Sequence, residues 1–413
     1  MLKYFRGQSL GYIVKFVSVL PLALLLWIVI EIINVFRPVF LVRLPDKGRI
    51  TLYLRPMELH LRNANQLKKK YLMIFLMHAA TPNEAVRTIY RRYSIIIDSH
   101  YPNFVRRSFS ILAVLLKFRF TPELPDWQQL WQLEPATTLT DEELEFGDEL
   151  LRKLKIPLDA EYVCLGVKEA SYYASVTPEN GYGQDLSHIV ADSKNVDVNN
   201  YLFAATHLAK LGIYVVRVGS IVNNPLPKDR HPMIVDYSST FRSELGDVVL
   251  GARCKFFICG CAGSYSFAAV WNRPIAYADH YFENNNSSRK MRLDQHPNSI
   301  LITRMYSRKD ESFLNFREIT QANELILTDQ ALLELALTPI PNSPNEILDL
   351  VSEMNLRIDN LCQNPSIDED LQGKFYDCFT PPIQWRRYKM KIADSFLQKY
   401  KNQQSSSCND AFE

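Results

Sequence analysis

A glycine-serine corner separates two apolar runs in the second half of the chain. The stretch CKFFICGCAGSYSFAAVWNRP, residues 254–274, breaks at Gly260, passes through Gly263 and Ser264, and continues as a small-residue helix. Glycine lets a backbone approach a ligand closely, and the first amides of a helix are unpaired donors with partial positive charge. The pattern favours a phosphate or diphosphate site, although a structural turn would use the same residue types. The candidate binding residues are Gly260, Gly263, Ser264, Tyr265 and Ser266.

Polar residues beside the neighbouring apolar runs strengthen this interpretation. Arg217, Gly219 and Ser220 end the run VVRVGS, one strand-helix unit earlier. The Arg217 guanidinium could fork onto phosphate oxygens, or it could form a salt bridge at a strand end. Glu244 and Asp247 could accept hydrogen bonds from a sugar hydroxyl, or they could hold an arginine. The corner matches neither a P-loop nor the Gly-x-Gly-x-x-Gly pattern.

Two charged residues follow the run EYVCLGV and are the candidates for catalysis. Lys168 and Glu169 come directly after it. A carboxylate near a reacting hydroxyl can accept its proton, which makes Glu169 the first candidate base, with pairing to Lys168 or a loop arginine as the alternative. His188 and Asp192, in the long loop 170–198, are weaker candidates.

Apolar runs and amphipathic segments alternate along the chain, which predicts α/β units with a mainly parallel sheet. The predicted strands are 49–54, 71–77, 94–98, 161–167, 213–220, 255–260 and 274–279. The predicted helices are 83–93, 104–118, 199–212, 239–253, 343–361 and 384–400. A proline-containing connection at 121–143 interrupts the alternation, so we expect two α/β halves that divide near 125–155.

Composition excludes several classes of protein. The chain has 413 residues, with 47 basic and 45 acidic residues and a net charge of +2, so no overall field favours nucleic acid. Seven cysteines without a CxxC pattern indicate reduced thiols rather than a metal site or a disulfide framework.

The N-terminal segment is more apolar than the rest. Residues 16–36 form a 21-residue stretch with one charge, Glu31, and basic residues flank both ends. The length would span a bilayer, but Pro21, Glu31 and the basic flanks favour a helix that lies on the membrane surface. A buried core helix is the alternative.

From about residue 38 to 360 the chain resembles a family of bacterial glycosyltransferases encoded with cell-surface polysaccharide genes. The resemblance rests on the order of FRPVFLVRL, YLFAATHLAKLGIYVVRVGSIV, SELGDVVLGARCKFFICGCAGSYSFAAVWNRPIAYAD and SILITRMYSRKDESFLNFREI. It implies a GT-B architecture, in which two Rossmann-like domains face each other across a cleft and the C-terminal one holds a nucleotide-sugar donor. It also implies metal-independent, hexosyltransferase-type transfer to a lipid-linked or polysaccharide acceptor, with no bound cofactor.

Two departures from the family pattern concern catalysis. Gly166-Val167-Lys168-Glu169 replaces a His-x-Arg-Asp-like run, and Thr51 and Leu52 replace a glycine and a histidine. These losses favour a catalytically degenerate sugar-nucleotide-binding or scaffold protein as the alternative; a GT-B-type sugar-nucleotide epimerase is a further one.

The expected organisation has four parts. A membrane-associating segment covers 1–44, an acceptor domain 45–150, a nucleotide-sugar domain 151–383, and a basic helix with a disordered tail 384–413. The expected partners are a nucleotide-sugar donor, a lipid-linked glycan and a membrane surface, and the expected location is the cytoplasmic face of the inner membrane.

Overall fold

The computed structural model describes residues 18–44, 50–77, 81–115, 131–169, 196–222, 225–280, 299–322, 329–359, 368–378 and 391–405. The chain divides into two compact units, with the boundary between Leu139 and Thr140. Each unit contains its own parallel sheet with helices between the strands. The predicted α/β class and the parallel sheets are thereby confirmed. The facing of two domains across a cleft stays a prediction.

Unit 1 is built on a three-stranded parallel sheet in the order β1-β2-β3. Its strands are β1 (Val39–Arg43), β2 (Leu72–Leu76) and β3 (Ile95–Ile97), and its helices are α1 (Leu20–Phe36), α2 (Ile50–Asn65), α3 (Glu84–Arg91) and α4 (Asn103–Leu115). The central strand β2 is apolar along its whole length because it is covered on both faces.

The strand predicted over 49–54 is wrong, because Ile50 begins helix α2. Nearly every side chain from Tyr53 to Ala64 is buried, the charged Glu58 and Arg62 included. A helix buried all round has no polar face, so a short apolar run within it has the same appearance as a buried strand. Thr51 and Leu52, at the family's glycine and histidine positions, lie in its first turn.

Unit 2 contains a seven-stranded, entirely parallel sheet in the order β12-β9-β8-β7-β4-β5-β6. Its strands are β4 (Tyr162–Val167), β5 (Tyr214–Arg217), β6 (Ile234–Val235), β7 (Phe257–Gly260), β8 (Ile275–His280), β9 (Ile300–Thr303) and β12 (Lys391–Ile392). A separate antiparallel pair joins β10 (Met305–Ser307) to β11 (Thr338–Ile340). All six residues of β4 are buried, as the covered centre of a parallel sheet requires.

Ten α-helices of the described residues belong to unit 2. They are α5 (Asp141–Lys153), α6 (Asn199–Lys210), α7 (Tyr237–Thr240), α8 (Glu244–Arg253), α9 (Ser266–Ala269), α10 (Phe316–Ala322), α11 (Asp329–Glu334), α12 (Pro344–Asp359), α13 (Glu369–Asp377) and α14 (Asp394–Ser405). The helix predicted over 239–253 is two helices, because Ser243 caps α8 by accepting a hydrogen bond from the Gly246 amide.

The closing helix begins later in the chain than the predicted start at residue 384. Lys391 belongs to β12, which pairs with β9, and the helix begins at Asp394. It extends to Ser405, into the tail predicted to be disordered. Arg386, Arg387 and Lys389, which we expected on this helix, lie outside the described residues.

The apolar N-terminal segment forms α1, which is 17 residues long. Ala23 and Ile30 are its buried residues, and they pack in the core of unit 1 with Ile111 and Leu112 of α4. In the part of the chain that the structure describes, no helix combines the length and the apolar character needed to cross a membrane.

Candidate functional site

The candidate site lies at the carboxyl edge of the seven-stranded sheet. Because the strands are parallel, the residues that follow β4, β5, β7 and β8 meet at this edge, where ligands of open α/β sheets bind. Lys168 and Glu169 follow β4, and the glycine-serine corner follows β7. The two are joined directly, since the Lys168 amide donates to the Gly260 carbonyl over 2.9 Å.

The corner turns at Cys261, a position that the sequence analysis did not single out. Its φ of 56° lies in the left-handed region that favours glycine. A short 3₁₀ helix, Gly263–Tyr265, then leads into α9. The side-chain oxygens of Ser264 and Ser266 are both buried and have no hydrogen-bond partner. A buried hydroxyl left unpaired costs about 1–3 kcal/mol, so these two are the strongest indication of a ligand here.

Neighbouring side chains leave no room for a Cβ atom at two glycines of this region. A Cβ on Gly260 would lie 2.6 Å from the Tyr201 hydroxyl, and one on Gly166 would lie 2.5 Å from the Ser264 hydroxyl. The corner therefore packs directly against the end of β4. Tyr265 makes an edge contact with the Tyr277 ring, with the ring centroids 5.3 Å apart.

Arg217, predicted to bind phosphate, is held by two carboxylates. Its side chain is 2% exposed and is paired with Glu169 and with Asp236, the latter at 3.5 Å. Asp236 also accepts a hydrogen bond of 2.7 Å from the Leu226 amide. This is the salt-bridge alternative of the sequence analysis. A phosphate would have to compete with both carboxylates, and phosphate binding by Arg217 stays a prediction.

Glu244 and Asp247 lie in the first turn of α8. Asp247 is buried and accepts a hydrogen bond of 3.0 Å from Arg242, not from Arg217. Its second oxygen, Oδ1, is buried without a partner. Burial raises the pKa of Asp247 to about 6, although Arg242 lowers it in part. An unpaired acceptor of this kind fits the predicted contact with a sugar hydroxyl.

The other predicted residues contribute less to the geometry. Gly219 lies beside the Ser238 side chain, and Ser220 is exposed. His188 and Asp192 lie outside the described residues. Among the described histidines, cysteines and carboxylates, no group of three is placed to hold a metal ion.

A buried polar network at the end of β8 was missed. Asp279, with φ 54°, accepts hydrogen bonds from Tyr201 at 2.8 Å, from Arg304 at 3.0 Å and from the Asn342 amide at 2.9 Å. Since Tyr201 also covers Gly260, the network fixes the strand end beside the corner. The only sequence signal for it was an aspartate at the end of the run PIAYAD.

A groove of about 540 Å³ lies elsewhere in unit 2, beside β10 and β11, and contains none of the predicted site residues. It is lined by Arg308, Lys309, Asp310, Leu314, Glu318, Leu335, Ala336 and Leu337. Arg308 is paired with Glu318 across it at 2.6 Å.

No protein-family model matches the chain. No curated protein matches it. The solved structures that are similar include a glycosyl transferase family 9 protein from Veillonella parvula DSM 2008, with 12% identity over 78% of this chain and 97% of that one, at a TM-score of 0.44. ADP-heptose LPS heptosyltransferase II from E. coli has 11% identity over 78% and 99% of the two chains, at a TM-score of 0.39. These similarities are weak.

Proposed function

We propose that the chain is a glycosyltransferase that moves a sugar from a nucleotide-sugar donor to an acceptor in cell-surface glycan synthesis. The observation that carries the proposal is the pair of buried, unpartnered hydroxyls of Ser264 and Ser266 at the carboxyl edge of the parallel sheet. A donor diphosphate supplies the hydrogen-bond acceptors that these hydroxyls lack. Lys168, which follows the neighbouring strand β4, supplies positive charge for the leaving diphosphate.

Transfer also requires a group that accepts the proton of the acceptor hydroxyl. Glu169 is the predicted base of this unit, but its carboxylate is engaged by Arg217. This engagement favours a second candidate function, a nucleotide-sugar-binding protein of the same pathway without catalysis. The two differ in a measurable way, because both bind the donor and only the first releases nucleoside diphosphate from it.

Donor binding is expected to depend on Ser266. A ligand at one hundred times its Kd stabilises the native state by about 2.7 kcal/mol, which raises the Tm of a domain of this size by roughly 5–10 °C. We expect one member of a panel of ADP-, GDP-, UDP- and CDP-linked sugars to produce such a shift. In Ser266→Ala we expect the shift to disappear while the ligand-free Tm is unchanged or higher, because an unpaired buried hydroxyl has been removed.

Ser299→Ala is the matched control. Ser299 is also buried, but its hydroxyl accepts a hydrogen bond of 3.0 Å from the Ile275 amide. Its loss should lower the ligand-free Tm and leave the donor-induced shift intact. If no donor raises the Tm of the wild-type protein, or if Ser266→Ala keeps the full shift, the proposed site is wrong.

We further propose that α1 attaches the protein to the cytoplasmic surface of the inner membrane, close to a lipid-linked acceptor. Eight large apolar side chains of α1 are exposed: Leu24, Leu25, Trp27, Ile28, Val29, Ile32, Val35 and Phe36. An exposed Arg37 follows at its C-terminal end, as expected of a helix that meets anionic headgroups.

The double substitution Val35→Glu/Phe36→Glu is expected to reduce binding to vesicles of phosphatidylethanolamine and phosphatidylglycerol at least tenfold. Both side chains are more than four-fifths exposed, so their loss should not disturb the core, and each contributes about 1.5–3 kcal/mol when buried in lipid. Vesicle flotation measures the effect. Leu333→Glu, at an equally exposed leucine of unit 2, should bind like wild type. Equal flotation of all three proteins, or a lipid-free dimer that is lost in the double variant, would contradict membrane attachment.

A further inference from the structure

Basic residues precede all three strands of the unit 1 sheet. Arg37 lies two residues before β1, residues 68–70 before β2 are all lysine, and Arg91 and Arg92 lie at the end of α3, just before β3. All six side chains are exposed. Because the three strands are parallel, the segments that lead into them meet at the amino edge of the sheet.

Backbone pairing places these segments side by side. Val39 of β1 is paired with Leu72 of β2, and the Leu72 amide donates to the Pro38 carbonyl over 2.8 Å. On the other side of β2, Ile74 is paired with Ile95, the first residue of β3. The residues between each helix and the strand that follows it read RP, QLKKKY and RYS, and none of them is acidic. The basic residues therefore form one patch in which the connecting segments supply no compensating charge.

Exposed apolar side chains share this edge. Val35 and Phe36 end α1, Leu67 precedes the lysines, and Ile95 begins β3, and all four are between 40% and 85% exposed. A surface that combines basic and aliphatic side chains is complementary to anionic headgroups and to the acyl chains beneath them. A polyanion in solution would gain nothing from the apolar part, so the combination favours a bilayer as the partner.

We propose that the amino edge of the unit 1 sheet docks on a bilayer and that residues 68–70 select anionic phospholipids. The inference deepens the membrane attachment proposed for α1 and rests on it, but it requires none of the chemistry of unit 2. The lysine ammonium groups attract headgroups only where these carry net negative charge. Val35 and Phe36 insert into a bilayer of any headgroup charge, because their contribution is hydrophobic.

The ends of helices give a second reason for basic residues at this edge. The C-terminus of a helix carries partial negative charge that lysine and arginine complement, and α1, α2 and α3 all end here. That effect alone would not confer lipid binding. The C-terminus of α5 in unit 2 provides a matched exposed triplet, Arg152, Lys153 and Lys155. Its Lys155 and the first lysine of the patch, Lys68, both have a left-handed backbone, with φ 58° and 50°.

The test compares flotation with vesicles of phosphatidylcholine alone and vesicles that also contain phosphatidylglycerol. Wild type should bind the anionic vesicles at least about tenfold more tightly, and about 1 M salt should remove this preference by screening. Lys68→Gln/Lys69→Gln/Lys70→Gln should lose about tenfold or more on anionic vesicles, since each basic side chain contributes roughly fivefold there. Its binding to phosphatidylcholine should be unchanged.

Two further variants separate charge from apolar contact. Arg152→Gln/Lys153→Gln/Lys155→Gln should keep the wild-type preference for anionic vesicles. Val35→Ser/Phe36→Ser should weaken binding to both kinds of vesicle by a similar factor and leave their ratio intact. The Tm of each variant should match that of wild type, because every substituted side chain is exposed.

The outcomes distinguish this inference from the attachment on which it rests. Equal binding of wild type to both kinds of vesicle would overturn the selectivity and leave the attachment by α1 standing. Full preference in the lysine variant, or an equal loss in the unit 2 triplet, would overturn the role of residues 68–70. A wild-type protein that floats with neither kind of vesicle would remove both membrane proposals. Displacement from anionic vesicles by inorganic polyphosphate, with no effect of Val35→Ser/Phe36→Ser, would show a site for soluble polyanions instead.

Discussion

Arg217→Met is expected to lower the free energy of unfolding of unit 2 by about 3–5 kcal/mol. The guanidinium is 2% exposed and lies between the carboxylates of Glu169 and Asp236. Methionine has a similar length and no charge, so the substitution removes the positive charge that pairs with both carboxylates. Asp236 is 3% exposed and cannot regain its lost hydration. Urea unfolding monitored by circular dichroism measures the change.

A double-mutant cycle separates the charge effect from lost packing. Arg217→Met/Asp236→Asn should recover part of the loss, because one of the two negative charges that Arg217 paired with is then removed. Arg308→Met is the control, since Arg308 forms a comparable pair with Glu318 but both side chains are more than one-third exposed. Such pairs contribute about 0–1 kcal/mol. Equal losses of unfolding free energy in the Arg217 and Arg308 variants would show that burial of the Arg217 ion pairs adds nothing to their contribution.

Removing Arg217 also breaks the ion pair between Arg217 and Glu169. Without the ion pair to Arg217, the Glu169 carboxylate accepts a proton more readily at the carboxyl edge of the sheet. If Glu169 is the base, the folded fraction of Arg217→Met should turn over donor faster than wild type. If Glu169 is not the base, kcat per folded molecule should not rise.

Much of the parallel sheet of unit 2 was predictable, because its strands are apolar without alternation. β4, β7 and β8 are short runs of buried residues, and the glycine-serine corner separates β7 from β8. Such runs are typical of strands covered on both faces. The edge strand β12 was missed since two residues, Lys391 and Ile392, leave too short a pattern.

Helix α2 shows why the same reasoning failed in unit 1. Glu58 is fully buried there, accepting hydrogen bonds from Arg62 at 2.8 Å and from Tyr90 at 2.7 Å. It also accepts one of 2.6 Å from the amide of Ala136, a residue 78 positions away. Because the polar residues of this helix are buried and hydrogen-bonded within the protein, they do not mark a solvent-facing side, and a short stretch of the sequence resembles a strand.

The sequence predicts where the residues of the candidate site lie, but not which residues they pair with. Strand ends and the corner could be placed at one edge because parallel topology requires it. The ion pairs could not be predicted, because Arg217 is 48 positions from Glu169 and 19 positions from Asp236 in the sequence.

Asp247→Asn is expected to stabilise the protein at neutral pH. Burial raises the pKa of Asp247 from 3.8 in the unfolded chain to about 6, despite Arg242. The folded state therefore binds the proton more tightly than the unfolded state. The stability contributed by this group is fully present below pH 3.8 and is lost as the pH rises to about 6. Two pKa units correspond to on the order of 2–3 kcal/mol, which the asparagine variant should regain at pH 7.

The pH dependence of the stability gain shows whether loss of the Asp247 charge causes it. The advantage of Asp247→Asn should shrink to near zero at pH 4, where the aspartic acid is protonated. Asp310→Asn has the opposite sign, because hydrogen bonds from Ser312 lower the pKa of the exposed Asp310, and it should bring no gain at pH 7. A gain in Asp247→Asn that is equal at pH 4 and pH 7 would mean that a hydrogen bond, not the charge, is responsible.

A carboxylate retained at a cost in stability, with one oxygen unpaired, is typical of a functional site. If Asp247 accepts a hydrogen bond from a sugar hydroxyl of the donor, Asp247→Asn should be more stable than wild type at pH 7 and should bind the donor more weakly. Stability and binding then move in opposite directions. A variant that gains stability and binds donor as tightly as wild type would place the sugar away from the first turn of α8, although the diphosphate site at Ser264 and Ser266 would still stand.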